Sequence, residues 1–194
     1  MKTVAREEIL DYVTYEERRG PIREAVMRTK AERRVHVGPH LTFLFENHDT
    51  IRYQVLEMVR TERMIKDADI RHEVDTYNEL LGGRGELGAT LLIELDDAAQ
   101  RADKLARWLA LPSHLYVRRA DGQKAYARFD TRQVGDTRVS SVQYLKFDVG
   151  ADAPLAVGCD HSDPELNHET KLTPEQRAAL QRDLAESVGV TASE

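Results

Sequence analysis

The stretch GPHLTFLFENHDTIRYQVLEM, residues 38–58, changes its hydrophobic period halfway along. In the first part Leu41, Phe43 and Phe45 alternate with His40, Thr42, Leu44 and Glu46, the period of two that marks a strand. In the second part apolar residues return at helical spacing, and Asp49 or Thr50 is placed to cap a helix reaching about Ile65. A core strand therefore hands over to a core helix at one junction. The polar residues His40, Glu46, Asn47, Gln54 and Glu57 flank it and are the candidate ligand-binding set. At about 100° per residue from Ile51, Val55 falls near 40°, Met58 near -20° and Ile65 near -40°. Glu62, near 20°, then lies within the apolar stripe, where an ionised carboxylate is costly unless paired, hydrogen-bonded or metal-bound.

Upstream, REEILDYVTYEERRGPIREAVMRTKAERRV is expected to form two helices, with Gly20-Pro21 breaking the first and Pro21 starting the second. Arg18, Arg19, Arg23, Arg28, Lys30, Arg33 and Arg34 spread around it, as on a solvated face. Downstream, ADIRHEVDTYNELL is helical and stops at GGRGELG. That glycine run enters a strand, GATLLIEL, with no Lys-Ser or Lys-Thr in P-loop spacing, and so reads as a turn. Asp97 and Gln100 suit a capping box for AAQRADKLARWLAL, whose Leu105, Trp108 and Leu109 form an apolar side.

HLYVRR and KAYARF flank Asp121-Gly122, which suits a two-residue primed hairpin turn. SSVQYLKFDV, PLAVGCDH and ELNHETKL add strands, and Thr173-Pro174-Glu175-Gln176 announces a last helix that Gly189 ends. Adjacent strands following a helical region predict an α+β fold: a largely antiparallel sheet with N-terminal and flanking helices. One domain over residues 1–188 and a disordered tail over 189–194 complete the expected organisation.

Composition narrows the function. A chain of 194 residues, 41% hydrophobic and 32% charged, fits one domain with a sizeable core. Its 28 basic and 34 acidic residues leave a net charge of -6, which repels a phosphate backbone and argues against nucleic acid as a partner. The single cysteine, Cys159, and an N-terminus without an apolar signal segment suggest a reducing cytoplasm. No window approaches the roughly 18 consecutive apolar residues of a membrane span.

Two constellations could carry chemistry. Glu94 lies in the apolar strand LLIEL with Thr90 on its face. If Glu94 met Glu62, with Gln54 or Glu57 nearby, the pair could ligate a hard divalent metal ion or act as catalytic acid and base. The alternative for Glu62 is a buried ion pair with an arginine. In VGCDHSDPELNHETKL, a hairpin turn at residues 162–165 would put Cys159 and His161 on one face and His168 across from Cys159, a soft-ligand metal set. The alternative is a small buried thiol with exposed histidines. His36 and His40 have helical zinc-ligand spacing, but Gly38-Pro39 forbids the helix. Along a strand His40 and Glu46 stand about 20 Å apart, too far for one ion. Neither a Gly-x-Ser-x-Gly elbow nor a Rossmann fingerprint occurs.

The order of RVHVGPHLTFLFENHDTIRYQVLEMVRTE, DTYNELLGGRGELGATLLIEL, SSVQYLKF and GCDH resembles the bacterial family called Domain of Unknown Function 3501, over nearly the whole chain. The resemblance implies a bacterial cytoplasmic protein, with rubrerythrin-like and iron-sulfur redox proteins as partners. It thereby implies an accessory role in oxidative-stress or electron-transfer systems, exercised by binding a metal ion or a small anionic ligand. An interaction module without an active centre, and an enzyme using a buried glutamate as general base, are the alternatives. The matched blocks also hold Glu86, Gln143 and Asp160, together with Thr90. Gly88 stands where similar sequences carry serine, which counts against a hydroxyl function there.

Overall fold

In the computed structural model, which describes residues 1–131 and 134–189, the junction quoted above is strand β2 (Leu41–Phe45) followed by helix α2 (His48–Glu62). Strands β1 (Arg34–Val37), β3 (Glu86–Ile93) and β6 (Val142–Asp148) join β2 in an antiparallel sheet of order β1-β2-β3-β6. Phe43 pairs with Val35 on one side and Leu91 on the other, and Leu91 pairs with Gln143. A second antiparallel sheet has the order β5-β4-β7-β8, from β4 (Leu115–Arg118), β5 (Lys124–Tyr126), β7 (Ala156–Cys159) and β8 (His168–Lys171). The α+β class holds, with two four-stranded sheets where the sequence suggested one.

The sheets approach each other along both edges. Beyond β5, Arg128 exchanges backbone hydrogen bonds of 2.8 and 2.9 Å with Lys146 of β6. On the other side the Thr170 hydroxyl donates to the His36 carbonyl at 2.7 Å and the Gln176 amide to the Arg34 carbonyl at 2.8 Å. Side chains thus satisfy the outward carbonyls of β1, which would otherwise form an open edge. Between the sheets, Val35, Phe43, Phe45, Leu91, Phe147, Val117, Val157 and Cys159 share one core, joined by Trp108, Leu180 and Leu184. Every residue of β2 is buried. Helices α1 (Tyr12–Ala31), α2 and α3 (Asp67–Asn78) build a second core from Tyr15, Ile51, Val55, Leu56, Val59, Ile70 and Val74.

Four local expectations are corrected. α1 runs unbroken through Pro21. Glu17, Gly20 and Pro21 are exposed, so water reaches the carbonyl that proline leaves without a donor, while buried Tyr15 and Val26 anchor both halves. The cap of α2 is Asn47 and not Asp49 or Thr50: its side chain accepts the Thr50 N–H at 3.0 Å, and the Thr50 hydroxyl accepts the Asn47 N–H at 2.9 Å. α2 then ends at Glu62, with Arg63 left-handed at φ 50°, so Ile65 lies beyond the helix and is 82% exposed. The buried stripe is Ile51, Val55, Leu56 and Val59, and Glu62, on the overhanging last turn, is exposed. The hairpin between β4 and β5 turns through three residues. Arg119 pairs with Gln123, Gly122 donates to the Arg119 carbonyl, and Gly122 at φ 84° is its only left-handed residue.

The Thr173–Gln176 capping box opens α5 (Pro174–Gly189) as expected, and residues 190–194 of the expected tail lie outside the described residues. α4 spans Ala98–Arg107. A Cβ at Gly88 would lie 1.9 Å from the Leu80 carbonyl oxygen, so the turn before β3 closes over this strand only because that position has no side chain. No helix among the described residues is long and apolar enough to cross a membrane.

One buried ion pair ties α5 to the α1–β1 connection. Arg33 grips Asp183 with two hydrogen bonds of 2.8 and 2.9 Å, the two side chains being 5% and 3% exposed. Removing either partner strands a buried charge, which costs about 3–5 kcal/mol. Asp183→Ala is therefore expected to lose that much unfolding free energy in urea titrations, and the paired change Arg33→Met with Asp183→Leu to recover most of it. A loss below about 1 kcal/mol in the single variant would contradict the assignment.

Candidate functional site

The junction's own polar residues turn inward. Glu46 is buried and accepts hydrogen bonds from the hydroxyls of Thr90, at 2.6 Å, and Thr50. Asn47 caps α2 and its amide reaches Asp183 at 3.4 Å. Glu57 is bound by the Tyr15 hydroxyl at 2.6 Å and by Arg19 at 2.7 and 3.1 Å. Burial alone would raise its pKa, but the hydrogen bonds from Arg19 and Tyr15 outweigh it and hold the carboxyl down at about 2. Gln54 lies exposed on the same helix.

Glu62 and Glu94 are both exposed and face different grooves. Glu62 shares one with Lys66, Asp69 and His72, whereas Glu94 shares one with His40 and Lys104. The pairing of Cys159 with His168 has the anticipated register. Burial, however, pushes the Cys159 thiol up to about 11, which keeps it protonated at neutral pH. His168 is exposed, and His161 accepts the Asp163 N–H at 3.0 Å. Among the described residues, no three His, Cys, Asp or Glu side chains are grouped to hold a metal ion. The donor set thus does not fit the divalent metal the sequence suggested.

The arrangement with most chemical capacity lies at the opposite end of β2, around His40. The Glu94 N–H donates to the His40 carbonyl at 2.7 Å, continuing the β2–β3 pairing past the strands themselves. This places the His40 ring with Nδ1 3.2 Å from the Glu94 carbonyl, which can only accept, so Nδ1 carries the proton. Nε2 then lies 3.3 Å from the Lys104 ammonium and 3.0 Å from the Glu165 carboxylate. Lys104 and Glu165 are themselves ion-paired, and Arg107 adds contacts of 3.1 Å to Glu165 and 3.2 Å to Asp163. Buried Trp108 forms the floor, with its indole N–H on Asp163 at 2.8 Å and its ring centroid 5.3 Å from that of His40.

Hydrogen bonds from Lys104 and His40 hold the Glu165 carboxyl below its ordinary range. His40 Nε2 thus faces a donor and an acceptor at once, the Lys104 ammonium and the Glu165 carboxylate.

Beside this trio opens a groove of about 840 Å³. Asp97, Gln100, Arg101 and Lys104 line one wall, their i, i+3, i+4, i+7 spacing forming one face of α4. His40, Glu94, Asp96 and Ser141 complete its polar lining, and Pro39, Ile93 and Leu95 supply apolar surface. Of the residues expected from sequence, His40 and Glu94 come together here. Lys104, Arg107, Asp163 and Glu165 were missed. The polar face of α4 was visible in its spacing, but no local pattern connects it to a loop some 60 residues later.

The family model described as "Protein of unknown function (DUF3501)" matches residues 3–184. Among solved structures, the chain is similar to the crystal structure of a novel protein of unknown function from Burkholderia pseudomallei K96243. The two are 33% identical with a TM-score of 0.86, over 94% of this chain and 100% of that one. A comparison with curated proteins finds no match.

Two outcomes follow from the charges and thiol above. Glu57 binds its proton more weakly folded than unfolded, so its contribution to stability is present above the ordinary carboxylate range and disappears as pH falls toward about 2. Glu57→Gln should lower the melting temperature at pH 7, and the gap to wild type should close on acidification. A gap that persists unchanged at pH 2 would refute this. Cys159 should resist a thiol-specific chromogenic reagent in the folded protein at pH 8 and react at once in denaturant. Fast reaction under native conditions would show that the thiol is not enclosed.

Proposed function

The chain belongs to the DUF3501 family, and from that premise we propose that it is a small-ligand-binding accessory protein whose site is the groove between α4 and the start of β2. One observation carries the reading: a single face of α4 turns Arg101 and Lys104 into a groove that also receives His40. An anionic group entering there meets the Arg101 guanidinium and the Lys104 ammonium, with the His40 imidazole beside them. Lys104 is already held by Glu165, and His40 by the Glu94 carbonyl. The groups are thus positioned before a ligand arrives, which reduces the ordering cost of binding.

The resemblance drawn from sequence implies rubrerythrin-like or iron-sulfur proteins as partners. Within such a system we propose that this chain supplies the ligand-binding component. Tag-free protein should be screened by thermal melting against small carboxylates, phosphate esters and amino acids of varied chain length. A compound present at 100 times its dissociation constant stabilises by about 2.7 kcal/mol, a readily measured shift. The shift is expected to vanish in Arg101→Met with Lys104→Met. Stabilisation that survives in the double variant, or no stabilising compound at all, would dismiss the groove as the binding site.

A further inference from the structure

The groove carries both signs of charge, and this restricts the ligand further. Glu94, Asp96 and Asp97 share it with Arg101 and Lys104. A ligand with only an anionic group would enter the field of three carboxylates, and one with only a cationic group would meet two fixed cations. A molecule with separated opposite charges is favoured by both sets.

The commitments of these groups set the polarity. Asp97 is occupied as the cap of α4, accepting from Ala99 N at 2.8 Å and from the Gln100 amide at 2.8 Å. Lys104 is engaged with Glu165. Arg101 gives one guanidinium nitrogen to the Leu95 carbonyl at 2.9 Å and has further N–H groups to offer. Glu94 accepts the Thr42 hydroxyl through one oxygen at 2.8 Å and has a second. Asp96 is exposed on the connection between β3 and α4. The carboxylate of a ligand thus belongs at Arg101, and its ammonium at Glu94 and Asp96. Pro39, Ile93 and Leu95 between them offer apolar surface for a carbon body.

We propose that the ligand of this groove is a short zwitterion of the ω-amino acid class, its carboxylate on Arg101, its ammonium on Glu94 and Asp96, and its methylenes against Pro39, Ile93 and Leu95. The inference rests on the groove being the binding site, as argued above, and adds the class of ligand. All of these charges are solvent-accessible, so binding weakens with added salt.

Calorimetric titration at low salt and pH 7 tests it with 6-aminohexanoate, hexanoate and hexylamine, and with 4-aminobutyrate, butyrate and butylamine as a shorter series. At one length at least, the zwitterion should bind at least about tenfold more tightly than both singly charged analogues, a difference of about 1.4 kcal/mol. Arg101→Met should reduce the zwitterion to the level of the amine, and Asp96→Asn should weaken it while sparing the carboxylate. Both residues are exposed, and unchanged melting temperatures would show that the variants remain folded. If the carboxylates bind as tightly as the zwitterions, the groove takes anions and the zwitterion assignment falls alone. If no compound of either series binds up to about 10 mM, a limit corresponding to roughly 2.7 kcal/mol, both assignments fall together.

Discussion

A buried carboxylate holds the architecture together. Glu46 leaves the end of β2 and is 6% exposed, where an ionised group left without partners would be prohibitively costly. Two threonine hydroxyls resolve this, one from the first turn of α2 and one from the neighbouring strand β3. Thr50 also takes part in the cap with Asn47, and Asn47 reaches the Asp183 that Arg33 holds. Strand, helix, neighbouring strand and C-terminal helix therefore meet in one hydrogen-bonded group. Lys30 lies close enough for its charge to be felt there: burial lowers its pKa, and Glu46 acts in the opposite direction.

This group determines what the other end of β2 can do. β2 is buried on both faces and paired on both sides. Its leading residue, His40, is accordingly fixed against the end of β3 and presents Nε2 to Lys104 and Glu165. An imidazole on a rigid strand, held next to an ammonium and a carboxylate, is positioned as the polar groups of binding sites are. The polar residues at the junction contribute rigidity, and His40 and Lys104 at the entrance line the proposed ligand groove.

Charge tells the same story at larger scale. The net charge of -6 describes the molecule as a whole, yet the groove beside His40 combines acids and bases on opposed segments. Local arrangement, not total charge, sets which ligands are favoured there. The paired carboxylates at Glu57, Asp160 and Glu165 show how far such arrangement reaches. Asp160 is brought down to about 2, burial notwithstanding, by hydrogen bonds from Tyr126, Lys124 and His114.

By itself the sequence determined the α+β class, the β2–α2 junction and the existence of the β4–β5 hairpin, and parity anticipated the pairing of Cys159 with His168 given a turn at 162–165, because period and parity act between residues close in the chain. It also marked Glu46 and His40 as notable. Only tertiary structure decided that Glu62 is exposed, since helical spacing gives its angular position but where the core stops beneath α2 depends on packing. It alone brought Lys104 and Glu165, 61 residues apart, to His40. No local rule encodes such a meeting: two sheets joined along both edges create it by packing α4 and the 160–167 loop over the same entrance.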